Sequence, residues 1–276
     1  MANTAATSPD PAGARGVDSD DNSGVRERAV VWDVFSGWFL GQMAAVLFAG
    51  FLASAMGWNP VTPNGIGAPI GRALTEAAAG LQLTDPPAPF ISKVMAGQIP
   101  FWVVLLGIPF FVTRLRGRSV VDDFGLRMKW IDVPIGLAAG VVSQLLLVPL
   151  LYLTVFRFID TDAVDDEAVR LTLNALSSPG GPLVLVLLVA VGAPVVEEIA
   201  YRGGLQRALR TRLHPGIAIA IASLVFGLAH VQLVQLPALV LIGVVAGTLA
   251  WRFDRIGPAV LAHVGFNGLA AITLLT

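Results

Sequence analysis

Seven apolar runs limit what this chain can become. They cover residues at about 31–56, 91–112, 131–156, 182–207, 217–230, 237–251 and 258–275. The hydrocarbon core of a bilayer is about 30 Å thick and takes about 20 helical residues to cross. Most of the runs reach or approach that length. The expected fold is therefore all-α, a polytopic transmembrane helical bundle of about seven spans, with six or eight as variants. The fifth and sixth runs are short, so a tilted or re-entrant pair is one such variant. Composition agrees, with 55% hydrophobic residues, 13% charged residues and a mean hydropathy of +0.74.

Charge gives the bundle an orientation. Of the 18 Lys and Arg residues, three lie in the N-terminal tail, five in the second connector, four at the end of the fourth run and just beyond it (Arg202, Arg207, Arg210 and Arg212) and two in the sixth connector. A seven-span chain puts these 14 on one side and leaves Arg72, Lys93, Arg157 and Arg170 on the other. By the positive-inside rule the N-terminus is cytoplasmic and the C-terminus faces out. Residues 1–29 are polar and aperiodic, which reads as a disordered cytoplasmic tail, and residues 30–276 form the transmembrane domain. The stretch GRALTEAAAGLQ (71–82) reads as a short interfacial helix, and 157–170 as an acidic connector. The basic connector TRLRGRSVVDDFGLRMKW (113–130) reads as a topology signal beside anionic lipid. With no Cys, disulfides and thiolate chemistry are excluded. No cleavable signal peptide, phosphate loop or nucleic-acid module is evident, so no nucleic-acid partner is expected.

The polar residues inside the runs carry the chemistry. Glu197 and Glu198 are adjacent in PVVEEIAYR, although an acidic residue at the centre of a spanning helix costs about 2.5–3.5 kcal/mol on insertion scales. Two of the three His residues, His230 in FGLAH and His263 in HVGFN, also lie in apolar runs. Glu198 with Arg202, Phe226 with His230, and His263 with Asn267 are each four apart, so each pair shares a helix face. Glu197 is turned about 100° from Glu198 and cannot use Arg202 equally well. At about 1.5 Å of rise per residue, Glu197, His230, His263 and Asn267 reach overlapping depths below the cytoplasmic face. That overlap requires the fourth span to run past Arg202, making Arg202 an intramembrane partner of Glu198.

Each residue also has a plainer use. The Glu198–Arg202 pair can hold helices in register, Asn267 can join helices by a hydrogen bond, and Phe226 can simply pack. Glu197 has no ready partner. A carboxylate beside an imidazole can deprotonate water while a second imidazole and an amide steady an oxyanion. The same Glu197, His230 and His263 could instead hold a divalent metal such as zinc. Spacing does not choose between these chemistries, and HExxH is absent.

In this order, EExxxR (Glu197 to Arg202), FxxxH (Phe226 to His230) and HxxxN (His263 to Asn267) resemble the three motifs of the CPBP, or Abi, family. That family contains type II CAAX prenyl endopeptidases and bacterial bacteriocin-processing and self-immunity relatives. The resemblance covers about residues 180–272 and implies an all-helical intramembrane endopeptidase core. It also implies Glu197 as general base, His230 as its water-binding partner and His263 with Asn267 on the oxyanion side. Glu198, Arg202 and Phe226 would support them. Implied partners are the bilayer and a peptide or membrane-protein substrate, and the expected location is a bacterial inner membrane. The bacterial look of this Ala/Gly/Val-rich chain argues against prenylated CAAX proteins as that substrate. The rival reading is a non-catalytic scaffold or self-immunity protein holding a peptide in the same cavity. A proton-coupled transporter is a third, weakened by the lack of an inverted repeat.

Overall fold

The computed structural model describes residues 90–155, 180–230, 232 and 234–275, with isolated positions between 36 and 51. The expected tail, the interfacial helix, the acidic connector and most of the first span lie outside the described residues. Among those described, the regular structure is entirely helical.

Seven elements follow in chain order. α1 is Phe90–Leu115, a helix with Pro100 and Pro109 inside it. Each proline removes an i→i−4 hydrogen bond, a defect that helices packed among neighbours tolerate. α2 is the short Val120–Asp123, whose first turn is capped by the Ser119 hydroxyl accepting from the Asp122 N–H. α3 covers 132–155 as Asp132–Val142, a π-helical turn Ser143–Leu147, and Val148–Val155. α4 is the 30-residue Gly181–Arg210, interrupted by π-helical stretches at Val186–Gly192 and Ile199–Gln206. α5 is Pro215–Ala229, α6 Leu236–Phe253 and α7 Gly257–Leu275.

Four of the described helices are long and apolar enough to cross a membrane: Gln98–Leu115 within α1, Asp132–Thr154 within α3, Gly181–Arg210 and Leu236–Phe253. The sixth run, expected to be short, is thus an 18-residue helix, whereas the fifth is apolar and shorter at 15 residues. α4 continues eight residues beyond Arg202, as the depth argument required.

Small residues let the helices approach closely enough to converge on α4. Gly136 and Gly140 of α3 form a small-xxx-small ridge against α7. A Cβ added at Gly140 would lie 2.0 Å from the Ala262 carbonyl oxygen, and one at Gly136 would lie 2.5 Å from Leu261 Cβ. From the other side, Gly265 meets the Leu137 carbonyl in the same way, at 2.9 Å. On the opposite flank Gly243 of α6 packs on Ser223 of α5. The Gln206 side chain of α4 donates from Nε2 to the Gly247 carbonyl of α6 at 2.8 Å.

One end of the bundle is tied by charge. Buried Asp132 at the start of α3 accepts two-pronged hydrogen bonds from Arg255, in the turn between α6 and α7, from Nε to Oδ2 at 2.9 Å and from Nη2 to Oδ1 at 2.5 Å. The hydrogen bond with this carboxylate raises the Arg255 guanidinium above its ordinary pKa. Backbone bonds from Ile256 to Gly125 and from Gly257 to Arg127 fasten the same turn to the loop before α3. α7 is therefore held both along its length and at its entry.

Candidate active site

The two glutamates of α4 point in different directions, as a step of about 100° demands. Glu198 is fully buried, and its Oε1 lies 3.0 Å from Arg202 Nη1. The same oxygen is 2.9 Å from His263 Nδ1 on α7. A carboxylate has no proton to give, so Nδ1–H donates and Nε2 is the nitrogen left facing away from Glu198.

Glu197 retains some exposure, 16% of its side chain, and faces two imidazoles. His263 Nε2 lies 3.8 Å from its Oε2, and His230 Nε2 lies 4.0 Å from its Oε1. His230 follows the last residue of α5, and its Nδ1 is 2.8 Å from the Phe226 carbonyl oxygen. That carbonyl can only accept, so His230 Nδ1–H donates to it and Nε2 is the nitrogen turned toward Glu197. Both His–Glu197 separations exceed a direct hydrogen bond and suit one bridged by water.

Phe226 is the hub of the surrounding packing and is fully buried. Its ring lies edge-on to His230 at 4.7 Å, to His263 at 5.5 Å and to Tyr201 at 5.2 Å between centroids. The Arg202 guanidinium carbon sits 4.6 Å from the same ring centroid. Among the described residues Arg202 Nε and Nη2 find no hydrogen-bond acceptor, so Glu198 and the aromatic face together hold this buried cation. The spacing in FxxxH therefore does more than pack: it puts the carbonyl of Phe226 on one nitrogen of His230 and its ring against both imidazoles.

Asn267, one turn beyond His263, donates from Nδ2 to the Val189 carbonyl at 2.9 Å. Val189 lies in the first π-helical stretch of α4, where the usual i→i−4 pattern is interrupted. This bond ties α7 to α4 and leaves the amide a second hydrogen to offer. Glu197, Glu198, Arg202, Phe226, His230 and His263 thus form one connected cluster, with Asn267 at its edge. Sequence reasoning missed Tyr201 and Gln206, both buried on α4. An uncharged polar side chain one turn past Arg202 in an apolar helix was the available signal for Gln206.

Tetrahedral zinc needs its nitrogen and oxygen ligands at about 2.0–2.2 Å from one point. Among the described residues no three His, Asp or Glu side chains converge so as to hold a metal ion, so no step is derived through one.

No curated protein and no solved structure matches the chain. Residues 179–269, which carry all three motifs and every member of this cluster, match the family model described as Type II CAAX prenyl endopeptidase Rce1-like, a family of proteases consistent with the CPBP resemblance.

Proposed function

We propose that the protein is an intramembrane endopeptidase that hydrolyses a peptide bond of a protein or peptide substrate near the cytoplasmic leaflet of a bacterial inner membrane. The observation that carries this reading is the pair of imidazole Nε2 atoms turned toward the partly exposed Glu197 carboxylate, at 3.8 Å and 4.0 Å. A water bridging Glu197 and His230 would give a proton to Glu197 as its oxygen attacks the peptide carbonyl. The carbonyl oxygen gains the negative charge, which the second amide hydrogen of Asn267 would stabilise, together with His263 Nε2 when that ring carries a proton on both nitrogens. The C–N bond then breaks as Glu197 returns the proton to the departing amine.

Glu198 and Arg202 work at one remove. With His263 Nδ1 held by Glu198, the ring presents Nε2 to the reacting groups in a fixed orientation, as the carboxylate partner of a catalytic imidazole does.

The test is cleavage of a membrane-anchored peptide by the purified full-length chain in vesicles, comparing the wild type with Glu197→Gln. Loss of cleavage by the folded variant supports the reading; unchanged cleavage overturns it. A phenotype in cells that survives Glu197→Gln would instead favour the scaffold or self-immunity reading. Running the same assay after chelation, then with zinc restored, decides whether a metal takes part.

A further inference from the structure

Away from the glutamate cluster, a cavity of about 370 Å³ opens between α1, α2, α4 and the turn joining α6 to α7. This lies at the small end of ligand-site volumes. Four arginines line it: Arg116 just past α1, Arg118 before α2, and Arg207 and Arg210 on the last turn of α4. Thr113 and Thr211 add hydroxyls, and Gly203 and Gly204 open the α4 side.

The carboxylate pairing is close at Arg118 and loose at Arg207 and Arg210. Asp123 pairs closely with Arg118 at 2.8 Å, and Asp122 is turned to Arg127, which does not line the cavity. Arg207 and Arg210 share a single oxygen of Asp254, at 3.3 Å and 3.8 Å. Both distances are long for charge-assisted bonds, whose usual range is about 2.7–2.9 Å. Asp254 itself is 70% exposed. Beyond that oxygen, Arg207 Nη1 reaches only the Asp254 main-chain carbonyl, at a long 3.4 Å, so the two guanidiniums are loosely held in a concavity that an anion with several acceptor oxygens could satisfy better.

We propose that this cavity binds a phosphate group, supplied by the headgroup of an anionic phospholipid. The lipid source follows from position: the cavity sits where the membrane-length α1 and α4 both end, at Leu115 and Arg210. Basic side chains in such juxtamembrane positions attract anionic headgroups. The bound phosphate would bridge Arg207 and Arg210 to Arg116 and Arg118, joining the ends of α1 and α4. This inference does not depend on the proposed peptidase activity.

The experiment measures lipid retention and thermal stability of the full-length chain, delipidated in neutral detergent. Phosphatidylglycerol, phosphatidylcholine or inorganic phosphate is then added. Wild type is expected to retain and be stabilised by phosphatidylglycerol over phosphatidylcholine. Arg207→Gln/Arg210→Gln should weaken that preference by at least roughly fivefold, the loss expected for a basic contact at an anionic surface. Asp254→Asn removes the competing carboxylate and should strengthen it; Asn tolerates the left-handed backbone at this position, φ 49°. If Arg207-dependent stabilisation comes from inorganic phosphate with no lipid preference, the lipid source is overturned. If neither Arg207/Arg210 nor Asp254 substitution changes any of these responses, the site itself is overturned. Should the double variant fail to fold, the Asp254→Asn response decides alone.

Discussion

The imidazole of His263 is held by Glu198, at 2.9 Å, and only its far nitrogen is turned to Glu197, 3.8 Å away. Two neighbouring carboxylates therefore divide the work: one fixes the ring and the other faces it across a gap suited to water. That division separates the expected effects of their substitutions.

Glu197→Gln should leave the helical fold and thermal stability close to wild type, because the side chain is partly exposed and its shape is kept. Cleavage should fall by about 10²–10⁴-fold, the usual worth of a positioned general base. Circular dichroism and peptide cleavage on the same sample check both halves.

Arg202→Ala should instead cost stability first. It leaves Glu198 as a buried charge without its strongest partner, a situation worth about 3–5 kcal/mol in proteins. Denaturation in mild detergent should show the loss. A double substitution, Glu198→Gln with Arg202→Met, should recover much of the stability without recovering activity.

Phe226→Ala removes the surface shared by His230, His263, Tyr201 and Arg202. A loss of about 3–5 kcal/mol is expected for the buried ring. Phe226→Leu should retain more stability yet still lower the cleavage rate, since a flat face for the guanidinium and edges for the imidazoles are gone. Thermal melts and rate measurements on the two variants separate packing from positioning.

Gly140→Val tests the seam between α3 and α7. Even a Cβ at Gly140 would collide with the Ala262 backbone at 2.0 Å, and overpacking of this kind costs about 1–3 kcal/mol or more. Because Ala262 adjoins His263, activity should fall further than stability alone explains. Cleavage at a temperature where the variant is still folded is the discriminating measurement.

The parts of this arrangement legible in the sequence are those set by short-range geometry. The i, i+4 rule joined Glu198 to Arg202 and Phe226 to His230, and the depth argument carried α4 past Arg202. What could not be read was which helix faces meet. Asn267 bonds to Val189 and His263 to Glu198 because α7 lies against α4, a placement set by Gly136, Gly140 and the Asp132–Arg255 clamp far away in the chain. The π-helical stretches of α4 were equally hidden: Pro194 follows the first and Gly203–Gly204 lie in the second, but such residues mark a helix irregularity without specifying its hydrogen-bond register.

The cluster is also scattered in time. A ribosome delivers Glu198 first, the His230 segment next, and His263 only 65 residues after its carboxylate partner. A nascent chain that has inserted α4 carries its acidic pair and Arg202 but no imidazole to work with them. On the proposed chemistry the site stays incomplete until α7 docks against α4 and brings His263 to Glu198.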